Sequence, residues 1–132
     1  MNVRAALQAG AWAAVLSAGP STLHAVTTGR DPLEATKAAG SILLPHETRT
    51  LRLVAAAVPV HLTLSFGWAL VLESAGVRRV RSGVLAGLAI AAIDLGIIGR
   101  RLPRVRALPI GPQIADHVAY GAVVGFVRSR RV

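Results

Sequence analysis

Cysteine is absent from this chain of 132 residues, which removes disulfides, thiolate metal sites and cysteine nucleophiles. Aromatic residues are scarce at 4%, and only 6 acidic residues stand against 15 lysines and arginines. The sequence has no Ser/His/Asp elbow, no phosphate-cradling glycine loop and no dinucleotide fingerprint, so the compact catalytic signatures are missing. What fills the chain instead is apolar. Hydrophobic residues make up 53% before 13 glycines are counted, whereas soluble proteins average roughly 45 to 50% with glycine included. That excess points to a lipid bilayer as the partner of this surface.

In a soluble protein a net charge of +9 would suggest nucleic acid, because Lys and Arg release counterions from phosphate. Position argues otherwise. The basic residues stand at the chain ends and between apolar runs: at Arg4, from Arg30 to Arg52, from Arg78 to Arg81, from Arg100 to Arg106 and from Arg128 to Arg131. This is the distribution of membrane-flanking charge. No aromatic-interleaved basic patch accompanies it, and no nucleic-acid partner is expected.

Four stretches without formal charge have about the length that crosses a hydrocarbon core, residues 5–29, 53–72, 82–99 and about 110–127. The first is expected to be a retained helix kinked at Gly19-Pro20, since SAGPSTLHAV offers no good signal-cleavage site. Between the first two spans, DPLEATKAAGSILLP predicts a short interfacial or re-entrant helix over 32–44. Asp31 would be its N-cap, Pro32 its first residue, Glu34 the closing partner of a capping box and Pro45 its stop. The expected fold is therefore all-α: a single transmembrane domain over 1–132, an integral membrane four-helix bundle with one interfacial helix between spans 1 and 2. The N-terminal side, A, would carry 7 basic residues and the opposite side, B, would carry 8, so the charge rule gives no orientation. An even number of spans and a short basic N-terminus predict a multi-pass plasma-membrane protein with both termini cytoplasmic.

Counting depth from the span ends places His24, His61, Asp94, Asp116 and His117 in the half nearer side B, and Trp12, Trp68 and Phe126 in the half nearer side A. A charge at membrane depth costs roughly 2.5 to 3.5 kcal/mol, so such residues face the bundle interior or water. Gly83 and Gly87 form a small-residue stripe that Asp94 continues; His117, Gly121 and Gly125 form another, with Asp116 and Tyr120 on a neighbouring stripe. The pattern predicts Asp94 facing His117 across adjacent antiparallel spans at equal depth, with Asp116 and His61 close enough to join them.

Three functional classes fit these residues. In the first, the buried Asp and His side chains fix helix packing. In the second they line a vestibule open to side B in a proton- or cation-linked small-solute channel or transporter, which in so small a chain would need a homo-oligomer. In the third, His24, His61, His117, Asp94 and Asp116 supply nitrogen and oxygen ligands to a membrane metalloenzyme, although no HExxH supports it and His46-Glu47 is expected to be solvated. No catalytic residue, metal or cofactor is assigned.

The runs PSTLHAVTTGRDPLEATKAAG, residues 20–40, and AIDLGIIGRRLPRVRALPIGPQIADHVAYG, residues 92–121, carry a resemblance. They resemble segments of an uncharacterised family of small four-pass integral membrane proteins of high-GC actinobacteria, a source that suits the excess of arginine over lysine. The resemblance implies the four-pass architecture and a plasma-membrane location, and no activity.

Overall fold

The first apolar run carries its own interruption, because Pro20 has no N–H to donate and its ring clashes with the preceding turn of a helix. The computed structural model, which describes residues 1–130, divides that run into α1, Val3–Leu16, and α2, Gly19–Thr27, with Pro20 in the first turn of α2. Asn2 caps α1 by accepting from the Ala5 N–H at 3.0 Å. Just past the end of α2, Gly29 takes the left-handed φ of 69° that a residue with a Cβ avoids.

The interfacial helix is shorter than its sequence pattern. α3 is Glu34–Gly40 rather than 32–44, and turns replace helix over residues 41–43. The capping box does not form. Asp31 Oδ1 accepts from Leu33 N at 2.8 Å, while Glu34 turns back to Arg30 at 2.8 Å. Glu34 is thus held by the Arg30 guanidinium and not by a backbone N–H. Gly40 ends the helix at close approach to the next one, since a Cβ there would overlap the Leu53 carbonyl.

α4, Thr50–Ser74, is a single helix of 25 residues. α5, Val80–Ile93, continues through a π turn, Asp94–Ile98, and a 3-10 turn, Gly99–Arg101. A short α6, Pro103–Arg106, leads to α7, Ile110–Ser129. No strand occurs among the described residues.

The helices form four columns, α1 with α2, α4, α5 and α7. α1 packs on α4 and α7, and α7 packs most extensively on α5. Ala9, Ala13, Leu72, Ile90, Tyr120 and Val124 are buried together between them. Contacts at the two ends fix the alternation of direction. At side A, Glu73 of α4 receives the Asn2 N–H at 2.8 Å and pairs with Arg128 of α7 at 2.7 Å. At side B, Arg104 donates to the Glu47 carbonyl at 3.0 Å, and α3 lies against α4 and α6.

Two helical segments, Thr50–Ser74 and Val80–Arg101, are long and apolar enough to cross a membrane. This is fewer than the four spans expected from the sequence, for two physical reasons. The break at Gly19-Pro20 leaves helices of 14 and 9 residues, each too short to cross alone. α7 has 20 residues, but Gln113, Asp116, His117 and Tyr120 dilute its apolar character.

The α5–α7 contact is set by glycine. A Cβ on Gly83 would strike the Gly121 carbonyl, and one on Gly87 would come within 2.9 Å of Val118 Cα. From the other helix, a Cβ on Gly121 would lie 2.8 Å from the Gly87 nitrogen, and one on Gly125 would strike the Arg79 carbonyl. Side chains at these positions would force the backbones apart.

Candidate functional site

Asp94 opens the π turn, whose closing bond runs from the Gly99 N–H back to the Asp94 carbonyl. Gly99 is buried here, and a Cβ on it would lie 2.8 Å from that carbonyl oxygen and 2.9 Å from Val105. A side chain at residue 99 therefore conflicts with the turn that aims Asp94. π turns of this kind often occur at functional positions.

The Asp94 carboxylate meets groups from two other columns. Trp68 of α4 donates its indole N–H to Oδ2 at 3.1 Å, and His117 Nε2 of α7 lies 3.4 Å from the same oxygen. Asp94 and His117 are not at equal depth along their backbones, as loop counting had suggested. The glycine contacts put the His117 backbone opposite Gly87, seven residues before Asp94. The side chains meet because each Cα–Cβ bond leans toward the N-terminus of its own helix, and these helices run in opposite directions.

The second ring nitrogen of His117 determines what the first can do. Nδ1 lies 2.7 Å from the Gln113 carbonyl, which can only accept, so Nδ1 carries a hydrogen. A neutral ring of this tautomer offers only a lone pair at Nε2. The contact with Asp94 is attractive only when a further proton lies between them, on Nε2 or on the carboxyl group. A hydrogen bond across the pair would therefore take one further proton.

The remaining expected members of the cluster lie elsewhere. Asp116 accepts from the Ser21 N–H at 2.9 Å. Ser21 is in the first turn of α2, whose own N-cap residue, Ala18, has no side-chain oxygen. Asp116 therefore caps α2 from a different helix, where a negative charge also suits the helix dipole. His61 reaches α1 instead of Asp94, with Nε2 2.8 Å from the Ala14 carbonyl at the break between α1 and α2. Tyr120 donates to the Ser65 carbonyl and ties α7 to α4. His24 lines a small side B cleft of about 10 Å³ with Ser21, Asp31, Glu34 and Gln113, enough for about one water. No group of three or more His, Asp or Glu side chains converges as metal ligands among the described residues.

Side A holds a second polar centre, in which Arg78 and Arg128, membrane-flanking charges by their place in the sequence, meet an acid. Glu73 is buried, and its side chain meets Arg128 at 2.7 Å, Arg78 at 3.2 Å and the Asn2 amide at 2.8 Å. Arg128 is only 4% exposed, so this ion pair is an interior one. The available signal was Glu73 itself, the only acidic side chain between Glu47 and Asp94 in the sequence.

The side B surface is held by exposed pairs. Bonding to Lys37, then to the Leu33 amide, holds the Asp31 carboxyl below its ordinary 3.8. Glu47 is likewise held below 4.5, first by the Arg49 amide and further by the Thr48 amide and the Arg52 guanidinium. His46 is exposed, whereas Glu47 closes the start of α4.

No protein-family model, curated protein or solved structure matches the chain.

Proposed function

We infer that the chain is a small multi-pass integral membrane protein of the plasma membrane, with its termini on the cytoplasmic side. All four columns cross the bilayer, the broken α1–α2 column included. Within the bundle Asp94, His117 and Trp68 form a polar lock that fixes α4, α5 and α7. The observation that carries this reading is where the apolar residues point. Only 22% and 28% of the two most apolar windows are buried, so most of their apolar surface faces outward. A core helix of a soluble protein would be mostly buried, and exposed apolar area on this scale marks a membrane or a partner. The large exposed residues Leu51, Val58, Leu62, Leu64 and Val71 all lie on α4.

The approach of His117 Nε2 to the Asp94 carboxylate at 3.4 Å favours a second reading, a proton- or cation-linked small-solute channel or transporter. A homo-oligomer would then supply the path that one copy is too small to enclose. The two readings use the same residues, and flux in liposomes separates them.

Membrane topology tests the inference directly. Cysteines introduced at Glu34, Lys37 and Arg104 should be labelled from one face of sealed vesicles, and a cysteine at Ser129 from the other. Release of the protein from membranes by alkaline carbonate, or labelling of all four positions from one face, would overturn it.

A further inference from the structure

A long apolar groove runs along α1 and α7 in the half of the bundle nearer side A. It has a volume of about 870 Å³ and is walled by Trp12, Leu16, Ala122, Val123 and Phe126, with Arg130 at its end. Trp12 is 59% exposed and Phe126 45%, so the walls are uncovered by the rest of the chain. From Ala122 to Arg130 the groove follows about 12 Å of helix, most of the depth of one leaflet.

Its charged end is built for an anion. The Arg130 guanidinium stacks on the Phe126 ring, 4.7 Å from the centroid, which fixes the cation over the groove. A guanidinium at this place has N–H groups that can bind two oxygens at once. Among the described residues no carboxylate pairs with Arg130. The acid at this end, Glu73, is already occupied by Arg78 and Arg128. Arg130 therefore stands without an acid of its own among the described residues, beside an apolar groove.

We propose that this groove binds an anionic phospholipid, with an acyl chain along Trp12, Leu16 and Ala122 and the phosphate on Arg130. The assignment rests on the membrane reading above. A second copy of the chain is the competing occupant, but it would have to bring its own acid to Arg130, and the chain has few acids to offer.

Trp12 lies in the groove wall and reports occupancy. The full-length protein is placed in phosphatidylcholine bilayers containing a minor fraction of acyl-brominated phosphatidylglycerol, the Trp12 signal is taken as the difference between the native protein and Trp12→Phe, and its quenching is compared with that by the same fraction of brominated phosphatidylcholine. The expected result is an enrichment of about fivefold for the anionic lipid, the selectivity of one interfacial arginine. Arg130→Gln should abolish the preference, while Arg81→Gln, on the same side outside the groove, should keep it. Equal quenching by both lipids, or equal loss in both variants, overturns the lipid site while the membrane reading stands. Protection of Trp12 from both lipids that is relieved on dilution assigns the groove to a second copy and also overturns the proposal. Absence of quenching at every dilution, in protein that alkaline carbonate releases from the vesicles, means the membrane reading itself has failed.

Discussion

Glu73 and Arg128 form an ion pair at 2.7 Å with side chains 1% and 4% exposed, joining the C-terminal ends of α4 and α7. Burial makes the partners interdependent. Arg128→Met leaves a buried carboxylate with less compensation and should cost about 3 to 5 kcal/mol of stability. Adding Glu73→Leu should recover most of that loss, because a well-packed apolar pair replaces the charges. Thermal unfolding of the purified protein checks both, and a double variant no more stable than Arg128→Met would contradict the account.

The α5–α7 contact should be intolerant at its glycines. Gly87→Leu or Gly121→Leu meets backbone rather than flexible side chain, so each should destabilise by at least about 1 to 3 kcal/mol. Ala89 is exposed on the other face of α5, and Ala89→Leu should be close to neutral. Similar losses at all three positions would show that the stripe is not what joins the helices.

Acid should loosen the side B surface before the bundle. The Asp31 and Glu47 carboxyls are held below 3.8 and 4.5, so their contribution is present above those values and is lost as pH falls through the lower values of the folded state. Hydrogen exchange, corrected for its intrinsic pH dependence, should show the Leu33, Thr48 and Arg49 amides losing protection at acidic pH. Asp31→Asn and Glu47→Gln should remove that dependence at Leu33 and at Thr48 and Arg49 respectively; unchanged profiles would refute the assignment.

Much of this arrangement was legible in the sequence where it depended on local spacing. Glycines four apart announce a close helix contact whatever the partner, and an aspartate continuing that stripe must face inward. The break at Gly19-Pro20 follows from proline chemistry alone. What escaped depended on chain segments meeting at a distance. Asp116 finds the Ser21 amide only because α2 begins beside α7 with an alanine at its N-cap position. Arg128 looks like any flanking arginine until the end of α4 brings Glu73 against it. Trp68 belongs to the side A half by the position of its Cα, yet the indole reaches Asp94 through the length of its side chain.

Asp94 and His117 are held to be partners inside the bundle, with Nε2 3.4 Å from the Asp94 carboxylate. A double-mutant cycle on stability in lipid nanodiscs tests this partnership most directly, using Asp94→Asn, His117→Gln and both together. Each single change should destabilise, and the double change should cost less than their sum by about 0.5 to 3 kcal/mol. Strict additivity would mean that the two side chains do not interact and would contradict the account.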